Sequence, residues 1–272
     1  MKRSIITAMI CVAASGVFAQ NTKTDSTKSP ADTISKKDDD IHIGFHDDDD
    51  DHGFRHRRDK TDRHYPKASI GITFSRFDLG FATLMDHGSF TLSPQNQFLS
   101  YRQSKTSNIG FDVFQMGVRF SDGFKIYLSG GFDWTLIRLN QNITILPGQP
   151  VLTHRQDNIN YSKNRFSSSY LRIPLSFELR TKEDSRGNRF HFVFGPDAGL
   201  LLNGRVKQIS QENGKQKFDN SYHFANVRYG GFVRMGYAGW GVFAKYYVND
   251  MFENSPAQEG LKNFSFGLTF GF

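Results

Sequence analysis

The chain has 272 residues, of which 38% are apolar, 14% aromatic and 22% charged, with a net charge of +7 and one cysteine. A single cysteine excludes an internal disulfide framework and a multi-cysteine metal site. Past the first twenty residues no run approaches the roughly 18 apolar residues that a spanning helix needs, so membrane residence would have to come from strands.

Lys2 and Arg3 precede an apolar run from Ile5 to Phe18, and Val17-Phe18-Ala19 reads as a small-residue cleavage site before Gln20. Residues 1–19 are therefore expected to be a secretory signal peptide, too short and wrongly flanked for a membrane anchor. A lipoprotein reading of Cys11 fails because bulky Ile10 precedes it and the apolar run continues beyond it. The cysteine leaves with the leader, and no thiol chemistry is expected in the mature protein.

Residues 20–66 are rich in Asp, Lys, His, Ser and Thr and nearly devoid of apolar side chains. Such a segment cannot bury enough surface to offset chain entropy, so a disordered periplasmic tail is expected. Residues 38–51 hold eight Asp and no Lys or Arg. His42, His46, Asp47, Asp48 and His52 are weak candidate ligands for Ca²⁺ or Zn²⁺. They lack the fixed spacing of a metal loop, and a solvated charge run is the simpler reading. Arg55-His56-Arg57-Arg58 could fold back on the Asp run or touch anionic lipid. The tail is also the candidate contact for a periplasmic protein partner.

From Lys67 onward there are 23 Lys and Arg against 15 Asp and Glu. This part is long enough for one domain, and period-two reading gives eight strands. In the first, Ile70, Ile72 and Phe74 change parity to Phe77, Leu79 and Phe81; in the second, Ile109, Phe111 and Val113 change to Phe114, Met116, Val118 and Phe120. A bulge would account for each switch. The third carries Phe124, Ile126, Leu128, Gly130, Phe132, Trp134 and Leu136 on one face, and the fourth Leu171, Ile173, Leu175, Phe177 and Leu179. The fifth aligns Phe190, Phe192, Phe194, Pro196, Ala198, Leu200 and Leu202, and the sixth Ala225, Val227, Tyr229, Gly231, Val233, Met235 and Tyr237. The seventh has Trp240, Val242, Ala244, Tyr246 and Val248, and the last alternates from Phe264 to Phe272, where the chain stops. Most are near the ~9–11 residues of a tilted spanning strand.

Short connections (Ser121-Asp122-Gly123, a polar turn near Lys182 to Asn188, Ala238-Gly239) alternate with long polar ones at about 82–106, 140–165, 203–223 and 249–262. That alternation fits short periplasmic turns and long outer loops. The face opposite the apolar one carries Lys125, Asp133, Arg172, Glu178, Arg180, His191, Asp197, Arg228, Arg234 and Lys245. In a sandwich core these charges would be very costly unless paired. In a narrow barrel they can pair across the lumen, and eight strands are few enough for side chains to fill it. The expected fold is an all-β, eight-stranded antiparallel transmembrane β-barrel over 67–272, plugged by a lumen charge network. Phe120, Phe124, Phe190, Tyr237, Trp240 and Phe272 would form its periplasmic girdle.

Tyr170-Leu171-Arg172-Ile173-Pro174-Leu175-Ser176-Phe177-Glu178, Phe194-Gly195-Pro196-Asp197-Ala198-Gly199-Leu200-Leu201 and the Gly-rich strand pair from Tyr229 to Tyr247 resemble the PorT-like outer-membrane β-barrel family of Bacteroidota. The resemblance covers about residues 67–272. It implies a barrel in a Gram-negative outer membrane, a link to type IX secretion for part of the family, and no catalytic motif to carry over.

The expected function is a non-enzymatic envelope structural or interaction protein, without a cofactor. Outer-membrane lipid and lipopolysaccharide are the expected surroundings, and the barrel-insertion machinery is expected to read the C-terminal strand ending in Phe272. A rival reading is an outer-membrane enzyme acting on lipid or peptide through Asp86, His87 and Ser89 or through His154 and Asp157, although no nucleophile motif surrounds them. A narrow small-solute channel is the third. Basic charge with many aromatics could suggest nucleic acid, but the aromatics occupy the apolar face, so no nucleic-acid partner is expected.

Overall fold

In the computed structural model of the protein, residues 42–43, 65–73 and 76–272 are described; residues 1–19, read above as a signal peptide, and nearly all of the 20–66 stretch lie outside them. The strands are β1 (His42–Ile43), β2 (Lys67–Ile72), β3 (Phe77–Asp86), β4 (Ser107–Ser121), β5 (Phe124–Arg138), β6 (Ile143–Ile145), β7 (His154–Gln156), β8 (Lys163–Arg180), β9 (Phe190–Ser210), β10 (Gly214–Asn220), β11 (Val227–Tyr237), β12 (Trp240–Tyr247) and β13 (Leu261–Phe270). Among the described residues no helix is long and apolar enough to cross a membrane.

Eight strands form a closed antiparallel ring in the order β3, β4, β5, β8, β9, β11, β12, β13, and back to β3. The closing ladder pairs Leu261 with Asp86 at one end and Phe270 with Phe77 at the other. Closure leaves no edge strand, so all ladder groups of the ring have partners. β1 runs parallel to β2, with His42 opposite Ser69.

The two parity switches turn out to be one feature. β2 pairs with residues 114–119 of β4, and β3 pairs with residues 107–111. Between them Thr73 donates its N–H to the Val113 carbonyl, and Asp112 donates to the Arg76 carbonyl. The ladder of β4 with β5 slips at the same level, between Asp112 and Phe114. Extra residues on both strands keep Ile72 and Phe77, and likewise Phe111 and Phe114, on the outward side. A one-residue slip would otherwise have reversed every side chain beyond it.

Outward residues of the ring are apolar and exposed, among them Leu79, Phe81, Leu128, Ile173, Leu200, Val233, Val242 and Leu268. Inward residues alternate with them and are buried. At the short-turn end, β11 and β12 are joined by Ala238 (φ 53°) and Gly239 (φ 88°). Two left-handed residues in a two-residue hairpin match the right-handed strand twist.

Two long connections differ from expectation. The polar stretch at 203–223 is largely ladder, because β9 continues to Ser210 and folds back as β10 along it. The 140–165 stretch contains the β6–β7 hairpin, and β8 begins at Lys163. Strands that rise beyond the apolar belt keep their hydrogen bonds but lose the apolar face that makes period two visible. Ala225, expected on the outward face of the sixth strand, precedes β11 and is buried.

Candidate functional site

The interior of the ring is filled at three levels. In the middle lies a network of charges. Asp78 is its hub: its carboxylate is 3.1 Å from Arg172 Nη1, 2.8 Å from Arg234 Nη2 and 2.9 Å from Lys245 Nζ. Asp133 accepts from Lys245 at 3.0 Å, Arg228 at 2.6 Å and Asn108 at 2.9 Å. Arg172 Nε lies 3.6 Å from Asp112 and 3.9 Å from Asp197, whose carboxylate also accepts from the Tyr247 hydroxyl. The Arg228 guanidinium is sandwiched between the rings of Tyr170 and Tyr247, 3.9 and 4.2 Å from their centroids. Gly110 makes the centre possible: a Cβ there would come within 2.8 Å of both Arg172 Nη1 and Lys245 Nζ.

Toward the short-turn end, Glu178 gathers Arg180 and His191, each at 2.8 Å, and Arg76 at 3.7 Å. Arg76 also donates to the Tyr127 hydroxyl and lies over that ring, with Lys125 Nζ 5.1 Å from its centroid. Buried charges persist only when paired in this way.

Below this group an apolar plug closes the ring: Tyr127, Val193, Phe232 and Phe272. Phe272 is thus not in the girdle, where sequence reading placed it. Gly271 has φ 88° and bonds through its N–H to the Gly239 carbonyl, which turns the last residue inward. Its ring occupies the space that Gly236 leaves open, since a Cβ on Gly236 would lie 2.2 Å from it. Phe120, Phe190, Tyr237 and Trp240 are exposed on the outer face.

At the long-loop end, inward Leu84, Ile137, Phe166 and Val206 meet residues brought by the connections: Leu99, Leu139, Ile143, Ile145, Phe224 and Phe252. Phe166 stacks on Phe224 at 4.6 Å, and Phe224 on Phe252 at 5.1 Å. Polar side chains of the strands latch the loops: Asn164 Nδ2 and Gln208 Nε2 both donate to the Ile143 carbonyl, at 2.7 and 3.0 Å. Between this cap and the charged level is a cavity of about 20 Å³, lined by Thr135, Ser168, Tyr170 and Arg228 among others. That is room for about one water.

Residues 140–272 match a family model described as an outer membrane protein beta-barrel domain. The fold is that of an outer-membrane β-barrel. No curated protein matches the chain. The protein resides in the outer membrane. Outer-membrane barrels as a class carry long loops on the outer side and short turns on the periplasmic side, and the ends of this barrel are called outer and periplasmic by that rule.

Every lumen residue singled out in the sequence points inward: Lys125, Asp133, Arg172, Glu178, Asp197, Arg228, Arg234 and Lys245 are buried, and the Arg180 side chain is 10% exposed. Sequence reading missed Asp78 and Asp112, which come from the strands with the shifted register, and Arg76, which lies in the break just before β3. Phe77, Leu79 and Phe81 on the outer face were the signal that Asp78 faces in.

Of the loop residues considered for catalysis, Asp86, His87 and Ser89 are brought together, with Asp86 and Ser89 joined by a backbone bridge, while His154 and Asp157 make separate contacts. Asp86 lies 2.8 Å from His87 Nδ1 and accepts from the Ser93 N–H at 2.7 Å and Asn96 at 2.9 Å. The Ser89 hydroxyl accepts from the Thr91 N–H. The His154 ring stacks on Phe98 at 4.3 Å, and burial pushes its pKa down. Burial alone would raise the Asp157 carboxyl, but bonds from Thr144, Arg155 and Tyr161 outweigh it and hold it below the usual carboxylate value. An open cleft of about 470 Å³ at the outer rim is lined by His87, Ser93, Asp250, Glu259 and Lys262. Of the tail residues considered for metal binding, His46, Asp47, Asp48 and His52 lie outside the described residues, and His42 sits in the β1 bridge.

Proposed function

We propose that the protein is a non-enzymatic structural or interaction protein of the cell envelope. In this reading the barrel is the anchor, the packed outer cap faces the medium, and residues 20–66 reach a periplasmic protein partner. The resemblance to PorT-like proteins makes support of secretion or envelope assembly the finer form of this role, with the closing strand recognised during barrel insertion.

The observation that carries the proposal is the filled lumen. Aromatic and aliphatic side chains close both ends, and paired charges occupy the middle. Such an interior favours an anchor over a conduit. Reconstitution of the full chain into planar bilayers tests this: no conductance steps are expected. Stable ohmic channels would overturn the reading. Deletion of 21–66 should then remove co-purifying periplasmic proteins while leaving the barrel inserted; an unchanged set would remove the tail from the proposal.

A further inference from the structure

The outer wall carries a row of like charges that only the strand registers reveal. Arg138 on β5 is directly opposite Arg165 on β8, Arg165 is opposite Lys207 on β9, and Lys207 is opposite Lys217 on β10. Lys163 and Lys215 flank the row, both paired with Ile209. Neighbouring strands are about 4.8 Å apart, so the row spans roughly 14 Å of wall. Like charges directly opposite one another are destabilising, and here four follow in succession.

None of these six cations forms an ion pair among the described residues. The nearby carboxylate on the wall, Asp219, is already engaged by Arg205 and Asn203. Arg138 donates to the Ser162 carbonyl, and Arg165 Nε is buried without a hydrogen-bond partner. A set of outward cations without internal counter-charge fits an external anion.

The height of the row identifies the anion. The ladder immediately beneath is Leu136, Ser167, Arg205 and Asp219, and the one below that is Trp134, Ser169 and Asn203. Apolar residues then take over, with Leu171, Ile173, Leu200 and Leu202 outward. Tryptophan marks the membrane interface, so the cations stand at headgroup level and face sideways, where lipid lies. We propose that the wall of β5, β8, β9 and β10 binds the phosphate groups of a phosphorylated glycolipid in the outer leaflet. A Lys or Arg near an anionic membrane surface contributes about fivefold in affinity, and several contacts multiply.

The inference rests on the outer-membrane location and not on the proposed role, so a conducting or partnerless barrel would leave it standing. The test uses the full chain in phosphatidylethanolamine vesicles containing lipopolysaccharide or its dephosphorylated form, with the glycolipid retained through detergent extraction and purification as the readout. The unsubstituted protein should retain the phosphorylated form preferentially and melt at a higher temperature with it. The combined variant Arg165→Gln, Lys207→Gln and Lys217→Gln should weaken retention by about fivefold for each charge removed; Arg165→Lys should not. Equal retention of both forms by the unsubstituted protein would overturn the proposal, even if the variant failed to fold. So would an undiminished variant, as expected if an acidic protein occupies the wall, or full reproduction of the thermal shift by inorganic phosphate.

Discussion

Replacing Asp78 by Asn should be among the most damaging single changes in the barrel. The side chain keeps its shape and one acceptor, but three cations lose their shared charge. Lys245 still has Asp133 at 3.0 Å, and Arg172 has Asp112 and Asp197 at 3.6 and 3.9 Å. Arg234 makes its ion pair with Asp78, and its side chain is 2% exposed, so it is left as a buried charge without compensation. Removing one partner of a buried pair costs about 3–5 kcal/mol. For a domain of this size that corresponds to a fall of roughly 10 °C in melting temperature. Melting in detergent can be followed by fluorescence of Trp134 and Trp240, both on the outward face, alongside far-ultraviolet circular dichroism. Adding Arg234→Met should restore part of the loss, because an apolar side chain needs no counter-charge. A fall below about 1 kcal/mol, or no recovery in the double variant, would refute the hub role of Asp78.

Three further outcomes are expected. Gly236→Ala should expel the Phe272 ring and cost about 1–3 kcal/mol. Combined with Phe272→Ala it should cost less than the sum of the two, in a double-variant melting cycle. Phe224→Ala, which removes a fully buried ring stacked on Phe166 and Phe252, should destabilise the outer cap by about 3–5 kcal/mol. Hydrogen exchange should then rise in residues 139–166 and 221–226 while the strands below stay protected. The Asp157 carboxyl is held below its usual value in the folded protein. Its stabilising effect is therefore complete above the unfolded value, about 3.9, and lost as pH falls from there through the folded value. Exchange in the β6–β7 hairpin should accelerate over that acid range, and Asp157→Asn should remove the pH dependence.

Legibility followed the physics of each region. Where strands cross the lipid belt, one face must be apolar, and alternation in β5, β8, β9, β11, β12 and β13 was visible residue by residue. The inward charges were visible for the same reason. The β2–β3 break and the slip in β4 blurred the side assignment of Asp78 and Asp112, and so concealed the hub of the network. Both features lie at one level and compensate each other, a relation that exists only between strands. The outer cap was invisible because Leu99, Ile143, Leu152, Phe224 and Phe252 reach it from separate loops without a period. The wall of cations was hidden similarly, since Arg138, Arg165, Lys207 and Lys217 become neighbours only through three ladders. Phe272 was misplaced because alternation continued one residue past the turn that Gly271 makes.

The most direct test of the closed outer-membrane barrel is fractionation of cells expressing the full chain, followed by electrophoresis of the extracted protein with and without boiling. The account predicts an outer-membrane protein whose unboiled form migrates faster, as a compact ring that resists detergent. A protein free in the soluble periplasm, with no shift on boiling, would contradict it.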